Sequence, residues 1–359
     1  MIDDQTQGQL PRPEAAALAH SERLRERILA AIDAAGGAMP FSRYMHMALY
    51  EPGLGYYSAG TAKFGASGDF VTAVDQGDFL ARSIVLTLAP RLAELPEPVI
   101  LELGGGTGQL AADILRLLRE RGLDHVAYRM LEPSADLRAR QAERLAPALA
   151  AGAQISWLDK LEPASVNGAI IANEVVDALP CDRVTRSNSR WLQLAVARDG
   201  REFRWQALPL QPDQRTQIEA AFEPDAASPC DGYTTEIRPL LPGWIAGLST
   251  ALRAGEILLI DYGLSRREFY HPQRSSGTLM CHYRHRAHAN PFVYPGLQDI
   301  TAWADFSACA AAAQANGLTV AGYTTQGGFI AAALAADPSL AEMLDVSTAA
   351  QIRTLLLPG

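Results

Sequence analysis

The sequence predicts an α/β fold: a Rossmann-like, mostly parallel sheet, preceded by N-terminal helices and interrupted by an antiparallel and helical insertion. Three observations carry this. Short apolar runs alternate with helical stretches between residues 98 and 173, the order of βαβ units. A glycine-rich run stands where the first apolar stretch turns into a helix. After Pro180, three short strand-like stretches follow one another with turns between them.

Element by element, the first helix spans roughly Glu14 to Ala34, with Leu24, Ile28 and Ile32 on one face opposite Arg23, Glu26 and Arg27. Gly36-Gly37 stops it. A short aromatic helix follows near Phe41–Tyr50. EPGLGYYSAGTAKFGASGDFVTA is then a long loop, rich in glycine and aromatics; loops of this length in compact domains are functional or disordered, and the aromatics favour function. PVILEL (98–103) is a buried strand and QLAADILRLLRERG a helix closed by Gly122. VAYRML, AQISWL and GAIIAN are further strands, with the helix PSADLRARQAERLAPAL after the first of them. DRVTRS, WLQLAVAR and REFRWQAL are the antiparallel insertion. Parallel character returns with the helix PLLPGWIAGLSTALRAG and the strand EILLIDYG. TAWADFSACAAAAQANG is expected to be helix, LTVAGYT strand, and the C-terminus helical. The chain divides into 1–76 (N-terminal helices and glycine/aromatic loop), 77–180 (Rossmann-like core), 181–254 (insertion) and 255–359 (the rest of the core, with a basic cleft segment at 262–300).

The 359 residues are ample for a sizeable core, and 48% hydrophobic with 20% charged residues is the balance of a soluble globular protein. With 31 Lys+Arg against 40 Asp+Glu the net charge is −9, which disfavours nucleic acid as partner. No apolar run reaches the 18–20 or so residues of a membrane span. The polar start MIDDQTQGQLPRPE reads as neither signal nor transit peptide. Cys181, Cys230, Cys281 and Cys309 form no C-x-x-C pair, which favours reduced thiols and a cytoplasmic location.

Glu102-Leu103-Gly104-Gly105-Gly106-Thr107-Gly108 holds the chemistry. Glycines 104, 106 and 108 permit a tight turn and close approach of a ligand, and the helix that follows presents its N-terminal N–H groups. A dinucleotide fingerprint from Gly104 would need glycine where Gln109 stands, which disfavours a nicotinamide dehydrogenase. The spacing E-x-G-x-G-x-G fits an S-adenosylmethionine loop instead. Glu132, ending the second strand in RMLEPS, is placed to accept both ribose hydroxyls, and Asp159 in ISWLDK to accept the adenine amino group. The bland alternative for Glu132 is a neighbour of the N-cap Ser134.

PGLGYY (52–57), GDFVTA (68–73), LELGGGTG, MLEPS, ANEVVDALP, TTEIRP, LLIDYG and GTLMCHYRHRAHANPFVYPGLQDITAWADF occur in an order that resembles the MidA-like family, bacterial homologues of the mitochondrial complex I assembly methyltransferase. The resemblance covers roughly residues 38–330. It implies a class I methyltransferase fold with an insertion, S-adenosyl-L-methionine as donor, and donor contacts from Gly68, Asp69, Phe70 and Thr72 of the GDFVTA motif. The mitochondrial member is understood to methylate an arginine of a complex I subunit, so an arginine-containing protein is the expected partner. The sequence departs from the family at 74–78, where VDQGD replaces the usual PEISQ.

Asn173-Glu174 closes the fourth strand at the carboxyl edge of the sheet, where open α/β sheets bind ligands. Asn173 offers an amide and a carbonyl, and Glu174 and Asp177 place carboxylates near the expected methyl, where they can grip a guanidinium. Asp177 as a cap or salt-bridge residue is the competing reading, and Glu236 in TTEIRP is a third acid or a structural partner of an arginine. Cys281, His282, His285 and His288 invite a metal, but Arg284 and Arg286 interleave with them and the segment reads as loop, so no metal is expected. Asp261-Tyr262-Gly263 is expected to shape the cleft wall. The alternatives to protein arginine methylation are a non-catalytic donor-binding assembly factor and a small-molecule methyltransferase, the latter suggested by the aromatic stretch Phe41–Phe70.

Overall fold

The computed structural model describes residues 10–59, 77–222, 229–336 and 352–358. The chain begins with α1 (Ala15–Ala34), β1 (Ala38–Met39), α2 (Phe41–Tyr50) and α3 (Phe79–Glu94). The alternating core follows as β2 (Val99–Leu103), α4 (Gln109–Glu120), β3 (Ala127–Leu131), α5 (Ala135–Ala150), β4 (Ile155–Leu158) and β5 (Val166–Asn173). The insertion comprises β6 (Asp182–Ser187), β7 (Arg190–Asp199), β8 (Glu202–Pro209), α6 (Pro212–Ala221) and β9 (Thr234–Ile237). The remainder is α7 (Leu241–Ala251), β10 (Leu252–Leu264), α8 (Arg266–Phe269), β11 (Met280–Tyr283), β12 (Arg286–His288), β13 (Asp299–Thr301), β14 (Ala304–Asp305), α9 (Phe306–Ala315), β15 (Gly322–Thr325), α10 (Gln326–Ala336) and β16 (Ile352–Pro358).

The main sheet runs β4-β3-β2-β5-β10-β16-β15, with β14 also on β10. The strands from β4 to β10 are parallel, whereas β16 lies antiparallel between β10 and β15. The strand order reverses between β2 and β5, and there Leu103 stands opposite Ala172. That register brings Gly104 and Asn173 side by side at the carboxyl edge, the switch point at which such sheets bind ligands. Helices α3 and α4 cover one face of the sheet, and α7 and α9 the other. Every residue of β2 is buried, including the acid Glu102.

A second layer unites distant parts of the chain. β6, β7, β8 and β9 form an antiparallel sheet that β1 joins by pairing with β7. The buried faces of α1 and α2 share one core with Cys181, Val196, Phe203, Leu279, Cys281 and Ile300. The N-terminal helices and the insertion are therefore one lobe, assembled over the carboxyl edge of the main sheet.

The structure adds one helix and corrects three expectations. Helix α3 is not announced by any clean amphipathic face, because apolar residues surround it and Pro90 interrupts the pattern. The helix expected from Thr301 starts at Phe306, where the Asp305 carboxylate accepts the Ala308 N–H as N-cap. The C-terminus is not all helical: residues 352–358 are a strand, since the slot between β10 and β15 offers partners for both of its edges. The segment Cys281–His288 is a β-hairpin turning at Arg284 and His285, both at positive φ, and not a loop.

Candidate active site

A cavity of about 630 Å³ opens at the switch point, within the range of small-ligand sites. One side is the glycine loop. Gly104 N–H donates to the Leu131 carbonyl at 3.1 Å, and Gly108 N–H to Gly105 at 2.8 Å. Gly106 has φ +52° and nothing within 4 Å of where a Cβ would stand, so its missing side chain leaves room in the cavity itself. Gly108, the αL N-cap of α4, serves packing: a Cβ there would come within 3.3 Å of Gln141 Cα.

Two acids line this side. Glu132 is buried; its Oε1 accepts the Ser134 N–H at 2.9 Å and its Oε2 the Gln141 amide at 3.3 Å. Glu102 accepts the Tyr128 hydroxyl at 3.0 Å, and burial pushes its carboxyl up to about 7, opposed by that hydrogen bond and reinforced by Glu132.

The other side is built from four remote segments. β5 delivers Asn173 and Glu174 to the cavity wall. Asn173 Oδ1 is buried with no hydrogen-bond partner among the described residues. Glu174 adopts φ +53°, a conformation that costs a residue with a Cβ about 1 kcal/mol. It is held there from both directions: its N–H donates to Ile260 O at 2.8 Å, and the next three N–H groups (Val175, Val176, Asp177) converge on Asp261 Oδ2 at 3.1, 2.7 and 3.2 Å. Asp177 lines the cavity, and burial, then Asp261 and Asp299, raise its carboxyl well above the usual range. Asp299 accepts the Tyr57 hydroxyl at 2.8 Å, and Tyr57 stacks on Tyr50 with ring centroids 5.5 Å apart. Arg238 offsets these charges from behind the wall, its guanidinium donating to the carbonyls of Trp303, Ala302 and Asp177.

The structure thus brings Glu102, Gly104, Gly106, Glu132, Asn173, Glu174 and Asp177 to one cavity. Asp177 caps no helix and has no ion-pair partner within 4 Å among the described residues, so neither competing reading describes it. Gly68, Asp69, Phe70 and Thr72 lie outside the described residues. Asp159 is a correction: its side chain is 89% exposed, ion-paired with Arg138 at 2.8 Å and away from the cavity lining. Gly108 is another, facing α5 and not the ligand space. Glu236 is structural: fully buried, it pairs with Arg183 at 3.1 Å across β6 and β9 and accepts Thr278 N–H at 2.6 Å. In the hairpin, Cys281 and His282 are consecutive strand residues and point to opposite faces, so they cannot converge on one ion. Among the described residues no cluster of three metal-ligating side chains occurs, and no helix is long and apolar enough to cross a membrane.

Sequence reasoning missed Tyr50, Tyr57, Asp299, Arg274 and Trp303 as cavity residues. Tyr57 and Asp299 lie inside motifs already noticed, PGLGYY and GLQDIT; the signal was a buried-type aromatic and an acid within otherwise small or apolar runs.

Residues 80–324 match the family described as "Putative S-adenosyl-L-methionine-dependent methyltransferase". A solved structure from Burkholderia thailandensis, bound to S-adenosyl-homocysteine, superimposes with a TM-score of 0.87 at 38% identity, covering 98% of this chain and 95% of that one. The mitochondrial protein arginine methyltransferase NDUFAF7 homolog of Drosophila melanogaster is 26% identical over 82% of this chain and 71% of its own length. NDUFAF7 of Homo sapiens is 25% identical over 90% of this chain and 76% of its own. The open space at Gly106, the carboxylate of Glu132 in the same wall and the orphan acceptor on Asn173 suit an adenosyl ligand that carries hydroxyls and an ammonium group. The chain belongs to this family and is an S-adenosyl-L-methionine-dependent methyltransferase.

Proposed function

We propose that the enzyme methylates an arginine side chain of a protein. The observation that carries this reading is the acid wall: Glu174, Asp177 and Asp299 line one cavity with the glycine loop, beside the stacked Tyr50–Tyr57 pair. Burial and the neighbouring Asp261 and Asp299, which raise the proton affinity of Asp177, favour a cationic guest. A planar guanidinium meets carboxylates in bidentate fashion and stacks on aromatic faces. A lysine ammonium in the same place would be held protonated, with no lone pair to attack. The naming of the relatives as protein arginine methyltransferases supports the same choice.

Bound S-adenosyl-L-methionine supplies a methyl group on a sulfonium, open to in-line displacement. In this reading Glu132 and the loop fix the donor, and Glu174, held by its strained backbone, orients one guanidinium nitrogen toward the methyl. As the N–C bond forms and the C–S bond breaks, the nitrogen sheds a proton, and in this reading Asp177, a cavity-lining carboxyl, accepts it. The test is transfer of labelled methyl into a lysate of host cells lacking this protein, followed by hydrolysis and amino-acid analysis. Methylarginine in the protein fraction is the expected product. Label in small molecules would point to the aromatic-walled alternative, and donor binding with no transfer to a role in assembly.

A further inference from the structure

Gln141 on α5 is fully buried, yet it is polar and not part of the cavity lining. All its hydrogen-bonding groups are engaged. Its Nε2 donates to the Gly106 carbonyl at 2.9 Å and to Glu132 Oε2 at 3.3 Å, and its Oε1 accepts the Trp157 indole N–H at 2.9 Å. The indole is a donor only, so it dictates which way the amide faces: oxygen toward Trp157, both N–H groups toward the loop and the acid. Cα of Gln141 in turn packs within 3.3 Å of the Cβ position that Gly108 lacks. One side chain therefore fastens the glycine loop from behind and aims the carboxylate at its far side.

We infer that Gln141, oriented by Trp157, is a positioning residue for donor binding, setting the spacing between the Gly106 turn and Glu132. This rests on Glu132 holding the donor, and the control below separates the two. Titration calorimetry with S-adenosyl-homocysteine is the measurement, on the wild-type chain, Gln141→Leu, Gln141→Glu, Trp157→Phe and Glu132→Ala. Gln141→Leu keeps the volume and loses both donated bonds; its affinity should fall about 10- to 100-fold at every pH, the range for hydrogen bonds to a charged group. Gln141→Glu places a second carboxylate beside Glu132. Its deficit relative to wild type should be largest near about pH 8 and shrink several-fold near about pH 5.5, as the pair takes up a proton. Merely loosened packing would not give that pH dependence. Trp157→Phe, which keeps most of the ring and frees the amide to turn, should weaken binding about 2- to 5-fold.

Gln141→Leu within twofold of wild type while Glu132→Ala binds poorly would overturn the role of Gln141 alone. Wild-type affinity in Glu132→Ala would overturn the reading of Glu132 and this inference with it. If Gln141→Leu does not fold, the Gln141→Glu pH series decides, and a deficit constant across pH refutes the inference.

Discussion

The two halves of the cavity are built in opposite ways. Apart from Asn173, the donor half comes from one continuous stretch, residues 102–141, in which strand, glycine turn, helix, strand and helix follow each other and meet by local connection. The half proposed to hold the acceptor gathers Tyr50 and Tyr57, Glu174 to Asp177, Arg274 to His282 and Asp299 to Trp303, which meet only once the lobe closes over the sheet. The donor half is held mainly through backbone turns and neutral amides. In the acceptor half the wall is acidic, and its order rests on a few cross-links: Asp261 to the 175–177 amides, Tyr57 to Asp299, and Arg238 to three carbonyls. A site for an invariant ligand can be made of contiguous chain. The half proposed to take the acceptor is left to the parts that topology brings together late.

Substitutions on either side should therefore separate cleanly. The largest effect is expected from Gly106→Val: a branched side chain at φ +52° would both strain the turn and fill the open space, and S-adenosyl-homocysteine binding by calorimetry should be abolished. Glu174→Gln should leave donor affinity within about twofold while labelled-methyl transfer falls about 10²- to 10³-fold, the scale of losing one preorganised electrostatic contact. Glu174→Asp should also transfer poorly, because its arm is too short to hold the nitrogen in near-attack range. Loss of donor binding in Glu174→Gln would break the division between the halves. Glu132→Ala should weaken the donor by about 1.5–3 kcal/mol. Tyr57→Phe should be the mildest, lowering transfer about 3- to 10-fold through Asp299 with donor affinity unchanged.

The donor half also has its own pH signature. Glu102 holds its proton up to about 7 in the folded chain, whereas an exposed glutamate releases it near 4.5. Between those values the folded state binds more protons than the unfolded one, so stability falls as pH rises through the window and levels off above it. Asp177 and Asp261, also raised by burial, act in the same direction. Glu102→Gln should make the decline shallower by on the order of 3 kcal/mol, read from denaturant melts at a series of pH values. An unchanged slope would show that Glu102 is already ionised.

This difference between the halves also explains what could be read before the structure. Gly104, Gly106 and Glu132 were legible because turn chemistry and strand ends leave local marks, and the alternation of apolar runs marked β2 to β5 almost to the residue. Asp159 lies off the cavity lining, because proximity in sequence to a strand end does not say which way the side chain leaves it; it pairs with Arg138 at the surface. Glu236 and Asp261 are both buried acids in strands, and nothing local reveals that one answers Arg183 and the other three amides. Tyr57 and Asp299 are 242 positions apart, so their hydrogen bond has no signature at short range. β16 escaped because its three leucines suit helix and strand alike, and only the waiting edges of β10 and β15 decide.

That strand also governs how the molecule must be made. Residues 352–358 are synthesised after every other described strand, yet they fill a slot inside the main sheet, seven residues pairing with β10 and four with β15. Until they arrive, the nascent chain presents the apolar edge of Ile257, Leu258, Leu259 and Ile260 with no partner on that side, the kind of open edge that recruits other chains. Chains cut short before residue 352 are expected to aggregate even though the glycine loop and every acid of the cavity are already present.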